Sequence, residues 1–213
     1  MNKQKILSSS HKFELIYPTP LLQRQFENTA SLNESLKEYL LQLEKEQPKR
    51  NPGNSHKSNV AGWRSEENLL NSNNPSIKQL LEMMLDTLKL MLSEAPKSVP
   101  SDSTIDMVAW ANINREGAFN TPHIHPGFHF AGIYYVSTGN PDDNFPRNGQ
   151  LEILEPRGSA LAMPVPGFKF GSTMHIKAIP GLLVMFPAWL MHNVTPYKGD
   201  GERISIPFNI RIK

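Results

Sequence analysis

Apolar residues in the first hundred positions recur at the three- and four-residue spacing that places them on one face of a helix. Leucines at this spacing predict a helix over Leu32–Leu43, and the capping-box pattern Ser31–Glu34 predicts its start. A wider apolar stripe through Pro75–Ser93 predicts a second helix. The polar, proline-rich stretch Pro48–Asn59 between them is typical of a loop.

From Thr104 onward the apolar residues form short runs that are separated by glycine and proline. These runs predict strands at Ile105–Ile113, Phe130–Ser137, Leu151–Leu154, Phe168–Ile176, Gly181–Phe186 and Arg203–Ile212. Most of the chain's 18 prolines lie between Pro122 and Pro207, where they would end strands and shape turns. Many short strands of this kind favour an antiparallel sandwich or barrel.

The length of 213 residues fits a single domain, with a helical buttress and loops in residues 1–100 and a β core in residues 104–213. Hydrophobic residues make up 38% of the chain and charged residues 20%, which indicates a folded protein. A net charge of +2, with lysine and arginine scattered, gives no indication of a nucleic-acid partner. We expect the helical half to support the β core or to form the face of a homodimer.

The chain contains no cysteine, which excludes disulfides, thiolate metal ligands and a cysteine nucleophile. It also lacks the run of about 20 apolar residues that spans a membrane and the apolar segment of a secretory signal. We therefore expect a soluble cytoplasmic protein with no membrane partner.

Three histidines form a candidate metal site. His123 and His125 would point the same way on a strand, close enough to share a metal ion. His192 follows an apolar strand and is the best candidate for a third ligand. Other histidines, among them His129 and His175, are more simply explained as surface or core residues.

The C-terminal strand carries a second candidate site. Arg203 and Ser205 would share one strand face with Pro207 and Asn209, opposite the face that carries the isoleucines. An interior arginine with a hydroxyl two residues on can bind a carboxylate, because the guanidinium offers two parallel donors and the serine a third. An ordinary amphipathic strand with a surface arginine explains the same spacing equally well.

Taken together, these segments resemble the 2-oxoglutarate/Fe(II)-dependent oxygenase superfamily, whose fold is the double-stranded β-helix, or jelly-roll barrel. The resemblance covers residues 104–213. It is strongest to the prolyl-4-hydroxylase-like branch and, within it, to a small group of uncharacterised oxygenases of bacteria and phages. The matching segments, in order, are Trp110–Asn114, His123–Pro126, Ala131–Val136, Gly149–Arg157, Gly181–His192 and Arg203–Ser205.

The resemblance implies a mainly β fold with a helical annex, in which N-terminal helices support a jelly roll in the C-terminal half. His123 and His192 match the two histidines that bind Fe(II). Arg203 and Ser205 match the residues that bind the distal carboxylate of 2-oxoglutarate, and Tyr135 resembles a strand tyrosine that bonds the same carboxylate. For Tyr135, a packed core aromatic is nearly as good an explanation. The implied activity is a dioxygenase reaction that hydroxylates a C–H bond and converts 2-oxoglutarate to succinate, with no catalytic residue beyond the metal ligands.

His125 departs from the superfamily, whose common His-x-Asp/Glu motif has a carboxylate at this position. Three neutral histidines leave the site with one negative charge fewer, and some zinc enzymes also use three histidines, so zinc or another divalent metal is an alternative to Fe(II). The small group of oxygenases named above also carries His-x-His, so the departure does not imply an inactive protein. Glu152 or Glu155 is a less favoured source of a carboxylate ligand.

Two other functions remain compatible with the sequence. One is a metal-binding cupin-like protein, either a dioxygenase that does not use 2-oxoglutarate or a zinc hydrolase. The other is a non-enzymatic jelly-roll binding module. The substrate, small molecule or protein, has no readable motif, because the loops expected to contact it, Gly139–Asn148 and Arg157–Gly167, carry none.

Overall fold

The computed structural model describes residues 10, 12, 14, 16–47, 58–163, 165–168 and 171–213. Within them lie two α-helices, α1 (Ala30–Glu46) and α2 (Pro75–Ser93), so both helices predicted from the apolar spacing are confirmed. No helix in this described part of the chain is long and apolar enough to cross a membrane. Most of the predicted loop, residues 48–57, lies outside the described residues.

The two helices begin in different ways. At α2, the Asn74 side chain caps the helix by accepting a hydrogen bond from a backbone N–H of the first turn at 2.9 Å. At α1, the predicted capping box is wrong, because the helix begins at Ala30 and Ser31 already lies inside it. The capping position belongs to Thr29, whose hydroxyl accepts from the Asn33 side chain instead of a backbone N–H.

The described residues form twelve strands in two antiparallel sheets. The strands are β1 (Leu22–Gln25), β2 (Asn59–Val60), β3 (Trp63–Arg64), β4 (Ile105–Ala109), β5 (Asn112–Asn114), β6 (Phe119–His123), β7 (Phe130–Pro141), β8 (Leu151–Ile153), β9 (Met174–Ile176), β10 (Leu182–Pro187), β11 (His192–Val194) and β12 (Gly199–Ile212). The larger sheet has the order β1-β10-β7-β12-β5-β3, with β4 also paired to β12, and the smaller has the order β2-β6-β11-β8-β9. The prediction of a mainly β fold with a helical annex is confirmed, although the sheets stay open and do not close into a continuous barrel.

The predicted strand Ile105–Ile113 is divided into β4 and β5 by a proline on β12. Trp110 donates its N–H to the Pro207 carbonyl at 3.1 Å. Proline has no N–H to donate in return, so the ladder is interrupted at this pair. The interruption leaves β4 and β5 paired to different parts of the same long strand.

Other strands also differ from the prediction. In the described residues, the predicted strand Phe168–Ile176 is limited to β9, since the Gly171 N–H bonds the Glu155 carboxylate at 2.8 Å and not a neighbouring strand. Strands β1, β2 and β3 come from the half that was expected to hold only helices and loops. Two-residue strands such as β2 and β3 are too short to show the alternation on which strand prediction depends.

The core has two parts, one between the helices and the larger sheet and one between the two sheets. The isoleucines and the phenylalanine of β12 belong to the first part. Because side chains alternate along a strand, Arg203 and Ser205 face the space between the sheets, as the sequence pattern predicts. Arg203 is only 2% exposed, so the alternative of a surface arginine is wrong. A hydrogen bond of 2.7 Å from the Tyr134 hydroxyl to the Asn33 side chain fastens α1 to β7.

Candidate metal and carboxylate site

Three histidines meet at one end of the space between the sheets. His123 ends β6 and His192 begins β11, and the two are direct partners in the antiparallel pairing of these strands. His125 lies two residues beyond β6, where its backbone N–H donates to the Ala188 carbonyl at 2.9 Å. Each contributes a ring nitrogen, and these nitrogens lie within 4.8 Å of one another. The structure thus brings the three predicted residues together, although His125 reaches the site from a loop.

The spacing of the histidines fits a single divalent cation. The Nε2 atoms of His125 and His192 are 3.3 Å apart. Two nitrogens that bind one metal at about 2.1 Å stand about 3.0–3.4 Å from each other in tetrahedral or octahedral geometry. The donor set of imidazoles suits iron, zinc, copper or nickel, and only small inward movements are needed to bring all three nitrogens to bonding distance.

The backbone fixes the tautomer of two of the histidines. Nδ1 of His123 lies 2.7 Å from the Thr121 carbonyl, and Nδ1 of His192 lies 2.8 Å from the Leu190 carbonyl. A carbonyl oxygen only accepts, so in both rings Nδ1 carries the proton and Nε2 carries a lone pair, which in His123 lies 3.3 Å from the Ser58 hydroxyl. His123 and His192 are therefore oriented to bind a metal through Nε2.

The environment keeps the three imidazoles neutral. Burial lowers the pKa of His192 to about 3 and the pKa of His125 to about 4, and His123 adds a repulsive contribution to both. Burial also lowers the pKa of His123, and the Arg64 guanidinium lowers it further. Because a metal binds the neutral form of histidine, protons do not compete for this site at neutral pH.

These pKa shifts predict an acid-sensitive metal-free protein. In the unfolded chain a histidine takes up a proton near pH 6.5, whereas in the folded protein His125 and His192 do so only near pH 4 and 3. Protons therefore favour the unfolded state, and we expect the free energy of unfolding to fall as the pH is lowered from 6.5 towards 4.

The measurement is urea unfolding of metal-free protein at several pH values, compared with a His192→Gln variant. The variant should lose less stability over this interval, because it lacks one of the three histidines whose pKa is lowered in the folded protein. Equal losses of unfolding free energy in the two proteins would contradict the lowered pKa of His192.

A buried arginine lies on β12, facing the same space between the sheets. Nε of Arg203 donates to the Gly149 carbonyl at 3.1 Å, while Nη2 has no hydrogen-bond partner among the described residues. No carboxylate in the described part of the chain forms an ion pair with it, and burial lowers its pKa. Gly149 makes the close approach possible, because a Cβ at this position would lie 3.1 Å from Cδ and Nε of the arginine.

Tyr135 and Ser205 accompany this arginine. They are direct partners in the pairing of β7 with β12, and the guanidinium carbon of Arg203 lies 5.4 Å from the centre of the Tyr135 ring. The Tyr135 hydroxyl is buried and has no well-formed hydrogen bond to any of the described residues. Burial raises the pKa of Tyr135 although the nearby guanidinium opposes the shift, so the phenol remains a hydrogen-bond donor. All three predicted carboxylate-binding residues are thus adjacent.

One cavity connects the two groups, because its lining includes the three histidines as well as Arg203 and Ser205. Its wall also carries Asn112 and Asn120, which were not predicted from the sequence. Asn209 was placed by strand alternation on the same face as Arg203, but its proximity to His125 was not predicted. Alternation is therefore the one sequence feature that indicates where Asn209 lies.

The alternative carboxylate ligands are not at this site. Glu152 binds His175 at 3.2 Å and the Asn193 side chain at 2.9 Å. Glu155 is held by Arg157 and by a backbone N–H. His129 accepts a hydrogen bond from the backbone N–H of Ile212 at 3.0 Å. Both His129 and His175 therefore have structural roles, as expected from the sequence.

Comparison with known protein families agrees with the site. The family model described as "Putative 2OG-Fe(II) oxygenase" matches residues 108–209, a range that includes all the site residues described above. This part of the chain is similar to the 2-oxoglutarate/Fe(II)-dependent oxygenases. The resemblance seen in the sequence is therefore confirmed. A search of curated proteins gave no match for this chain.

Solved structures show that the chain shares its fold with prolyl hydroxylases and related proteins. A Pseudomonas putida prolyl-4-hydroxylase superposes with a TM-score of 0.59 at 18% identity, covering 90% of this chain and 91% of that one. A Trichoplax adhaerens prolyl hydroxylase, in complex with a hypoxia inducible factor peptide, gives 0.60 at 15% identity with coverage of 90% and 83%. HygX from Streptomyces hygroscopicus, with nickel and 2-oxoglutarate bound, gives 0.58 at 13% identity with coverage of 91% and 83%. These similarities confirm the predicted jelly-roll fold.

Proposed function

We propose that this oxygenase binds Fe(II) through His123, His125 and His192 and binds 2-oxoglutarate through Arg203 and Ser205, with Tyr135 as an additional donor. The observation that supports it most strongly is the buried guanidinium of Arg203, which lines the same cavity as the three histidines and has no counter-ion among the described residues. The metal would bind one end of a dicarboxylate, and the guanidinium of Arg203 would bind the other end.

The energetics of burial support this assignment. An unpaired charge in a protein interior costs several kcal/mol, and natural proteins seldom keep one without a partner or a ligand. A carboxylate would accept from Nη2 of Arg203 and from the hydroxyls of Ser205 and Tyr135. The three donors match the distal carboxylate of 2-oxoglutarate, whereas a neutral ligand would leave the cation uncompensated.

When bound, the iron supplies the activation of O2 that oxidises a C–H bond. The chain's own part is to orient the cosubstrate and to exclude water. Arg203 and Ser205 fix one end of 2-oxoglutarate, so that its keto acid end is directed towards the histidines. The ring of Phe186 packs against His192 with 4.8 Å between ring centres, and the ring of Trp110 lies 5.9 Å from that of His125. These aromatic groups keep solvent away from the metal side of the cavity.

Formation of succinate tests the proposed function. Metal-replete protein should convert 2-oxoglutarate to succinate in the presence of Fe(II) and O2, with or without candidate substrates. The reaction should disappear when Fe(II) is omitted. Absence of any turnover in protein with one iron per chain would refute the proposal.

The charge of the metal site gives a second prediction. Replacing His125 by aspartate would install the His-x-Asp motif of the superfamily and add one negative charge beside a divalent cation. We expect His125→Asp to retain Fe(II) and to bind it about tenfold more tightly, a gain of about 1.4 kcal/mol. Equilibrium titration of metal-free protein with Fe(II) under anaerobic conditions measures the effect.

His125→Ala is the matched control, because it removes the imidazole without supplying a new ligand. Its affinity for Fe(II) should be lower than that of the unaltered protein. The ligand role of His125 would be refuted if the aspartate and alanine variants weakened metal binding to the same extent.

One rival function keeps the metal and omits 2-oxoglutarate, as in a cupin-like dioxygenase or a zinc hydrolase. The three-histidine donor set favours it, since some zinc enzymes bind their metal in this way. In that protein Arg203 would be structural. A structural arginine is expected to use its buried donors, whereas Nη2 of Arg203 uses none within the described residues. Replacing Arg203 separates the two functions.

We also propose that the substrate is a small molecule or a protein, not a nucleic acid, and that the protein works in the cytoplasm. The net charge of +2 without a basic stripe supports the first point. The absence of cysteine and the need to keep iron in its reduced state support the second.

A further inference from the structure

His125 differs from the other two histidines in the partner of its Nδ1 atom. His123 and His192 each donate to a backbone carbonyl, whereas Nδ1 of His125 lies 3.2 Å from Nδ2 of Asn209. An amide offers a donor at one end and an acceptor at the other, so Asn209 is the side chain that can fix both the orientation and the tautomer of the His125 ring.

Asn209 can hold the metal-binding tautomer of His125 without moving its backbone. It is only 5% exposed, and its Oδ1 is buried with no hydrogen-bond partner among the described residues. The two ends of an amide are interchanged by a rotation of 180° about its last side-chain bond. With Oδ1 facing the ring, the oxygen accepts the proton of Nδ1–H, and Nε2 of His125 is free to bind a metal.

We propose that Asn209 is a positioning residue that holds His125 in its metal-binding tautomer. The inference rests on the proposed metal site but not on the use of 2-oxoglutarate. An asparagine meets this requirement, since its side-chain oxygen accepts a hydrogen bond. A carboxylate would also accept, whereas alanine would not.

Nuclear magnetic resonance of the imidazole nitrogens tests the tautomer in the unaltered chain. With 15N-labelled histidine and one equivalent of Zn(II), a diamagnetic probe, His125 should be protonated on Nδ1, as should His123 and His192. A zinc-loaded His125 ring that carries its proton on Nε2 would overturn the inference.

Metal titration of variants tests the positioning role. Asn209→Ala should bind Zn(II) about 10- to 100-fold more weakly, the usual effect of removing a group that orients a ligand histidine. Asn209→Asp should restore the affinity, because its carboxylate accepts from Nδ1–H. Asn114→Ala is the matched control, since Asn114 is another buried asparagine on the larger sheet and its side chain makes no hydrogen bond to the described residues.

The titrations separate this inference from the proposed function. If the unaltered protein binds no Zn(II), the metal site itself is refuted. If it binds Zn(II) and the alanine variants at positions 209 and 114 lose affinity equally, or the aspartate fails to restore it, only the role of Asn209 is overturned.

Discussion

Replacing His192 by alanine should weaken Fe(II) binding at least about 100-fold, because one of three protein ligands is lost from a site whose whole binding energy is on the order of 10 kcal/mol. His192 is 3% exposed and is held by the strand pairing that faces it towards His123. No other described carboxylate, cysteine or histidine belongs to the cluster and could replace it. Isothermal titration with Fe(II) under anaerobic conditions measures the loss.

His175→Ala is the matched control for this experiment. His175 lies in the same sheet, on β9, and binds Glu152, so its loss removes an imidazole without touching the histidine cluster. It should bind Fe(II) as tightly as the unaltered protein does. If the two variants bind equally well, the metal does not bind at His192.

Replacing Arg203 by methionine should have two effects of opposite sign. The affinity for 2-oxoglutarate should fall at least about 100-fold, since charge-assisted hydrogen bonds contribute about 1.5–3 kcal/mol each and the guanidinium can form two of them. The ligand-free protein should be no less stable, because methionine fills the space of the arginine stem and removes an unpaired buried charge. Among the described residues, the stabilising contacts that are lost are the hydrogen bond to the Gly149 carbonyl and the contact with the Tyr135 ring.

Calorimetric titration of metal-loaded protein with 2-oxoglutarate and thermal unfolding of the ligand-free protein provide the two measurements. Arg211→Met is a matched control, because Arg211 lies on the same strand but pairs with Asp106 at the surface. It should leave the affinity for 2-oxoglutarate unchanged. Unaltered 2-oxoglutarate binding by the Arg203→Met variant would refute the role of Arg203 in binding the cosubstrate and would favour the rival metal protein in which this arginine is structural.

The parts of the site that follow alternation along a strand could be predicted from the sequence. The polar face of β12, which carries Arg203 and Ser205, could be predicted from the alternation of polar and apolar residues. Successive side chains of a strand point to opposite faces of the sheet. The apolar stripe through Pro75–Ser93 predicts both bounds of α2. The histidines at 123, 125 and 192 could be grouped because few residue types bind metals as neutral groups.

The parts that depend on contacts between distant segments could not be predicted. The break between β4 and β5 arises at Pro207, almost a hundred positions away, and nothing near Trp110 indicates it. The role of Asn209 depends on a contact with His125, 84 positions earlier in the chain. The absence of a counter-ion for Arg203 is likewise a property of the folded protein, because the sequence offers many carboxylates that could have paired with it.

The central claim is that one cavity binds a metal through three histidines and a dicarboxylate through Arg203. Anaerobic titration of Fe(II)-loaded protein with 2-oxoglutarate tests it most directly, because chelation of Fe(II) by the keto acid produces a visible charge-transfer band. We predict one iron per chain and a band that saturates at one equivalent of 2-oxoglutarate. Protein that carries one iron per chain but gives no band and no heat of binding at any 2-oxoglutarate concentration would contradict the account.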